Sequence, residues 1–206
     1  MPRLLAFALC LLCFPVAAFG ADEPQSTTPK PPVFEPAKTR VLVLPTISKV
    51  GDQVAKTANA PEQAQKMIEE QFSQRGFVTA TAEEVKKALA AAKIDLTDLE
   101  NYTKDQIAAA GKEAGVALAV GTVLQAFESD ARNLCVLRVK VLDVGAGNYL
   151  VNGVFKGEKG GLSRKKGRLA AMGNAVEKAL VDLLKPYKVV PPPPTDAKPE
   201  GQDSQK

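Results

Sequence analysis

Residues 116–155 read VALAVGTVLQAFESDARNLCVLRVKVLDVGAGNYLVNGVF, and the pattern of that stretch decides the fold class. Residues 116–123 are nearly all small or β-branched, which suits a strand covered on both faces, and they run on into the more polar 124–128. Residues 133–143 alternate: Cys135, Leu137, Val139 and Val141 point one way, Arg138 and Lys140 the other. One face therefore meets a core and the other is at least partly wet. Gly145, Gly147 and Asn148 make a tight connection to residues 149–155. The three runs predict an antiparallel meander.

Upstream, Arg40-Val-Leu-Val-Leu-Pro45 is a short apolar run stopped by proline, as a buried central strand would be. After a polar loop and Pro61, the residues Ala64, Met67, Ile68 and Phe72 fall on one helical face before Gly76. Residues 77–80 read as a short strand. Thr81 with Glu84 and Thr103 with Gln106 are capping boxes. The first opens a helix burying Val85, Ala88, Leu89 and Ala92; the second opens a helix closed by Gly115. Downstream, a glycine-rich loop over 157–161 leads to Ser163, which can cap a long helix with the stripe Leu169, Met172, Val176, Leu180 and Leu183. The expected order is β-α-β-α-α-β-β-β-α: an α/β (α+β) domain with a mixed sheet of about five strands and helices packed on it.

Residues 1–20 carry one positive side chain, Arg3, then the apolar run from Leu4 to Val16, then the small residues Ala17, Ala18 and Gly20. That is the pattern of an export signal, with cleavage expected after Gly20 or Ala18. The run falls short of the roughly 20 residues that span a bilayer, which makes an uncleaved anchor the weaker reading. Cys10 and Cys13 each follow leucine, where lipoprotein processing wants a small residue. With the signal gone, Cys135 is the only cysteine and no intramolecular disulfide can form. Residues 21–38, with Pro24, Pro29, Pro31, Pro32 and Pro36, read as a proline-rich disordered linker, and residues 189–206, with Pro191 to Pro194, as a tail of the same kind. A single domain is expected over 39–188. The 27 basic and 23 acidic side chains are interspersed, and the net charge of +4 loses one unit with Arg3. So mild a balance does not indicate nucleic acid.

The chain contains no histidine, which removes the commonest general base and the commonest metal ligand together. Cys135 sits mid-strand on an apolar-facing position, where a free cysteine acts as a small hydrophobe. Glu69-Glu70 and Glu83-Glu84 lie on amphipathic helices as solvated faces, and the segment holding Asp95 and Asp98 lacks the acidic periodicity of a calcium loop. No catalytic residue, metal site or cofactor is expected. Two groups remain as candidate contacts. Lys156, Lys159, Arg164, Lys165, Lys166 and Arg168 gather at a helix start, where backbone amides already favour anions. The Gly157-Glu-Lys-Gly-Gly161 run among them is not a P-loop. Leu96, Leu99 and Tyr102 could form an apolar contact patch or could pack onto the domain's own core.

Three places carry a family likeness. The apolar first strand ends in Pro45; Lys112-Glu-Ala-Gly-Val-Ala-Leu-Ala-Val-Gly-Thr-Val123 runs from helix into a small-residue strand; and Val141-Leu-Asp-Val-Gly-Ala-Gly147 closes the long strand. Over about residues 39–187 the chain resembles the periplasmic domain shared by the TolB amino-terminal domain, the curli-assembly lipoprotein CsgG and the lipoprotein activators of penicillin-binding proteins. The resemblance implies a fold like the anticodon-binding domain, used in the cell envelope to dock other proteins. The chain departs from the lipoprotein members in lacking a lipid-attachment cysteine, and it lacks the alternating segments a β-barrel channel would need. The function expected is that of a non-catalytic, exported periplasmic accessory or assembly protein that docks a cell-envelope protein, with no transmembrane segment after signal cleavage. Its rivals are binding of an anionic lipid or glycan by the 156–168 basic loop, and a small secreted hydrolase acting through two carboxylates.

Overall fold

β4 (Leu118–Glu128), β5 (Leu134–Asp143) and β6 (Asn148–Glu158) form the expected antiparallel meander. The computed structural model describes residues 34–50, 59–97, 99–128, 133–160 and 164–184, the last segment without the side chains of 164 and 165. The expected signal, most of the linker, the Ser163 cap and the tail lie outside the described residues.

β1 (Arg40–Val43) runs parallel to β4 on one side and to β3 (Val78–Thr79) on the other, so the sheet order is β3-β1-β4-β5-β6. A sixth strand, β2 (Ile47–Ser48), pairs with Val123 and Leu124 of β4. Nothing in the residue pattern marks it as a separate strand. Pro45 has no N–H to offer and interrupts the ladder, but the chain stays alongside β4 and resumes pairing two residues later.

Four α-helices lie among the described residues: α1 (Ala60–Gln74), α2 (Ala82–Ala91), α3 (Lys104–Glu113) and α4 (Arg164–Leu184). Both capping boxes form. Thr81 and Thr103 each accept a bond from the N3 amide, and the N3 side chain of Glu84 or Gln106 accepts from the cap amide at 2.8 or 2.9 Å. Glu84 also pairs with Arg40 at 2.6 Å, tying the start of α2 to β1. The Thr81 amide first, and Arg40 second, hold the Glu84 carboxyl below its ordinary range.

Because strand side chains alternate, the sheet serves two cores. On one face Val41, Val43, Leu118, Val120, Leu137 and Val139 pack against Ile68 and Phe72 of α1 and Met172, Val176 and Leu183 of α4. On the other, Leu42, Leu44, Ala119, Val123 and Leu142 pack against Val85 and Ala88 of α2 and Ile107 and Ala110 of α3. Phe34 is buried in the first core and Pro36 is buried in a short 3-10 turn, so the chain contributes to the core upstream of Thr39.

One expectation is corrected. Gly157 belongs to β6, opposite Cys135, and not to a loop. A β-carbon there would run into the backbone of Ala171 and Ala175, so the missing side chain is what lets α4 lie directly on the strand.

Candidate docking surface

Cys135 is fully buried between β4 and β6, and burial pushes its thiol up to about 12. At that value it is almost wholly protonated near neutrality and poorly nucleophilic. Four of the candidate carboxylates have local partners: Glu69 accepts from Gln65, Glu70 sits 3.8 Å from Lys66, Glu84 caps α2, and Asp95 accepts from the Thr97 amide, which lowers its pKa; Asp98 lies outside the described residues. Among the described residues no three histidine, cysteine or acidic side chains come together to hold a metal ion.

The apolar candidates separate. Tyr102 is 1 % exposed, its ring lies against Gly121 and its hydroxyl donates to the Pro45 carbonyl. It is a core residue and no part of a contact patch, because Gly121 leaves a space on the sheet that only a large side chain from the loop fills. Leu99 is half-buried against the same core, and Leu96 alone of the three is exposed.

The basic candidates are dispersed as well. Lys156 pairs with Glu158 at 2.7 Å on the edge strand. Lys159 and Lys166 are exposed, while the Arg168 guanidinium lies 5.0 Å over the Phe127 ring. The side chains of Arg164 and Lys165 lie outside the described residues. Gly167 leaves room for the buried Asn133, whose amide donates to the Lys159 carbonyl at 3.0 Å. Much of this corner is therefore built to join β6 to α4.

Two open surfaces emerge instead. The first is the face of β5 and β6 turned away from α4. Across it the register sets Val136 beside Lys156, Arg138 beside Val154 and Lys140 beside Asn152. The second core stops at Leu142 and Tyr149, and none of these six residues belongs to it. At its border Lys140 reaches the Tyr102 carbonyl at 2.6 Å, and burial first and Arg138 second lower its pKa. Val154 is 52 % exposed. Sequence alternation marked this face as wet, but it could not tell that α2 and α3 would stop short of it.

The second surface is the outer edge of β6, which no other described strand than β5 pairs with, beneath α4: a groove of about 610 Å³ lined by Glu177, Lys178, Val181 and Asp182 among others, and sharing Val154 and Lys156 with the first. Asn174 donates to the Glu158 carbonyl at 3.0 Å and Lys178 to the Lys156 carbonyl at 2.7 Å. No sequence signal marked this groove, since it depends on α4 running along the last strand.

No family model and no curated protein matches the chain. Solved structures do. A PelC dodecamer from Paraburkholderia phytofirmans superposes with a TM-score of 0.50 at 11% identity, covering 74% of this chain and 93% of that one. Lipoprotein GNA1162 from Neisseria meningitidis follows at 0.49 and 14% identity, covering 71% and 99%. The LpoB C-terminal domain from Salmonella enterica stands at 0.43 and 11%, covering 61% and 84%. The likeness to PelC shows the fold: a mixed sheet with helices packed on it.

Proposed function

We propose that this chain is a non-catalytic, exported accessory protein of the cell envelope that docks another envelope protein through the uncovered face of β5 and β6. The observation that carries the reading is that face: Val136 and Arg138 of β5 stand beside Lys156 and Val154 of β6 on paired strands, on the opposite side from Cys135, Leu137 and Phe155, which pack in the first core. An apolar pair flanked by cations is a surface for a partner with apolar and acidic side chains. The buried, protonated Cys135 and the local hydrogen bonds of Glu69 and Asp95 support a binding role over turnover. The signal pattern of residues 1–20 and the resemblance to TolB-like and CsgG-like domains support an exported envelope location, and no described helix is long and apolar enough to cross a membrane. The test is affinity capture from the native host with Val136→Asp and Arg138→Glu. Both variants should fold and lose the same captured envelope protein; retention of that protein by both overturns the reading.

A second reading, anionic lipid or glycan bound near the start of α4, is favoured by Lys159 and Lys166, whose side chains are exposed and make no ion pair among the described residues. It expects salt-sensitive binding to anionic vesicles that Lys166→Glu weakens. Binding unchanged in that variant removes it.

A further inference from the structure

We infer that the partner docks as an amphipathic α-helix laid along β5 and β6, a third helix beside α2 and α3, with carboxylates one turn apart over Arg138 and Lys140. This rests on docking through β5 and β6 and names the kind of segment that docks there.

The core beneath α2 and α3 ends on β5 and β6 at Leu142 and Tyr149. Lys140 marks the border, since its ammonium reaches the carbonyl of Tyr102, just ahead of α3. Beyond that border β5 and β6 stay paired as far as Leu134 and Glu158. Two strands about 4.8 Å apart are as wide as one helix of about 10 Å, so the strip takes a single further helix in the same layer.

An extended peptide is a poor occupant. On the face of a sheet it finds no ladder, because strand amides and carbonyls point sideways to neighbouring strands, and its own backbone groups would be covered without partners. At the outer edge of β6, Asn174 and Lys178 already take the carbonyls of Glu158 and Lys156, which obstructs strand addition there. A helix satisfies its own backbone and meets the face through side chains. The two periods also agree: four helical residues rise about 6 Å, and two strand residues about 6.7 Å. Positions j, j+4 and j+8 of a helix therefore stand over three successive levels of the face, Val136 with Lys156, Arg138 with Val154 and Lys140 with Asn152.

Charge selects the sequence of that helix. Arg138 and Lys140 are cations on one face of one strand, and among the described residues neither forms an ion pair. Burial first and Arg138 second lower the Lys140 pKa, as expected of like charges with no counter-charge beside them. Lys156, by contrast, already has Glu158. The helix that fits carries carboxylates at j+4 and j+8 for Arg138 and Lys140, and an apolar stripe for Val136 and the exposed Val154.

The experiment places a photo-crosslinking residue in turn at the exposed positions Asn152, Val154 and Lys156 of the full chain in its native host, with Arg138 and Lys140 left intact, and locates each adduct on the partner by mass spectrometry. The probes stand two residues apart on one strand. A helix is expected to carry the three adducts in order, three or four residues apart, on a segment with apolar and acidic residues at that spacing. Adducts two residues apart, as on an extended strand, or scattered over separate segments, overturn the helix while leaving docking through this face in place. An adduct with a second copy of this chain, or none at any position, overturns the helix and the docking of an envelope partner together. Arg138→Glu should lower the Val154 adduct at least tenfold, and reversing the mapped carboxylate of the partner to arginine should restore it; an undiminished adduct, or a loss without rescue, overturns the charge pairing. Should Arg138→Glu fail to fold, the spacing of the three adducts decides alone.

Discussion

Gly157 of β6 and Ala171 of α4 are in backbone contact, so that a β-carbon on Gly157 would lie inside the carbonyl of Ala171. The long helix is thereby seated on the edge strand, and the groove exists because of that seating. Gly157→Ala must push α4 off the sheet or strain β6, an overpacking cost of about 3 kcal/mol. Thermal unfolding of the variant should show it. Gly160→Ala, where an added carbon meets nothing, is the control and should melt like the parent.

Tyr102 closes the second core from a loop. Tyr102→Phe keeps the ring against Gly121 but strips the Pro45 carbonyl of its donor, at about 1 kcal/mol. Chemical denaturation should give that loss with an unchanged slope. A variant as stable as the parent would mean that water replaces the phenol.

The buried Cys135 thiol is raised from 9.0 to about 12. A raised folded value stabilises the fold below the unfolded pKa, and that contribution fades as pH climbs from 9.0 toward about 12. Alkylation of the native protein at mildly basic pH should therefore be very slow and should become fast only on unfolding. Rapid labelling of the folded state would place the thiol elsewhere.

The two capping boxes differ in one respect: Glu84 titrates and Gln106 does not. Glu84 is held below its usual 4.5, so its contribution is present above that value and is lost as pH falls through the lowered one. Thr103→Ala should cost about 1 kcal/mol at every pH. Thr81→Ala should destabilise most near neutrality and less in acid, which a series of melts would reveal.

Periodicity made most of this fold legible. The meander, both capping boxes and the α4 stripe follow from residues that repeat at strand or helix spacing or sit at a defined cap position. β2 was hidden because two residues carry no period and Pro45 points to a stop. Gly157 was misplaced because a glycine in a strand looks like a loop until the helix above it is known. The candidate site was less legible still. Tyr102 has the same composition whether it is core or patch, and the exposure of Val154 depends on which helices stop short of β6. Such facts are tertiary and leave no local mark.

Photo-crosslinking from Val136 in the native host tests the docking face most directly, with a second probe at Val154 and a control at the exposed Lys87 of α2. The two probes on the face should yield the same discrete adduct with an envelope protein, absent from Lys87 and lost when Arg138→Glu is added. Adducts that are equal at all three positions, or that survive Arg138→Glu, would contradict docking through β5 and β6.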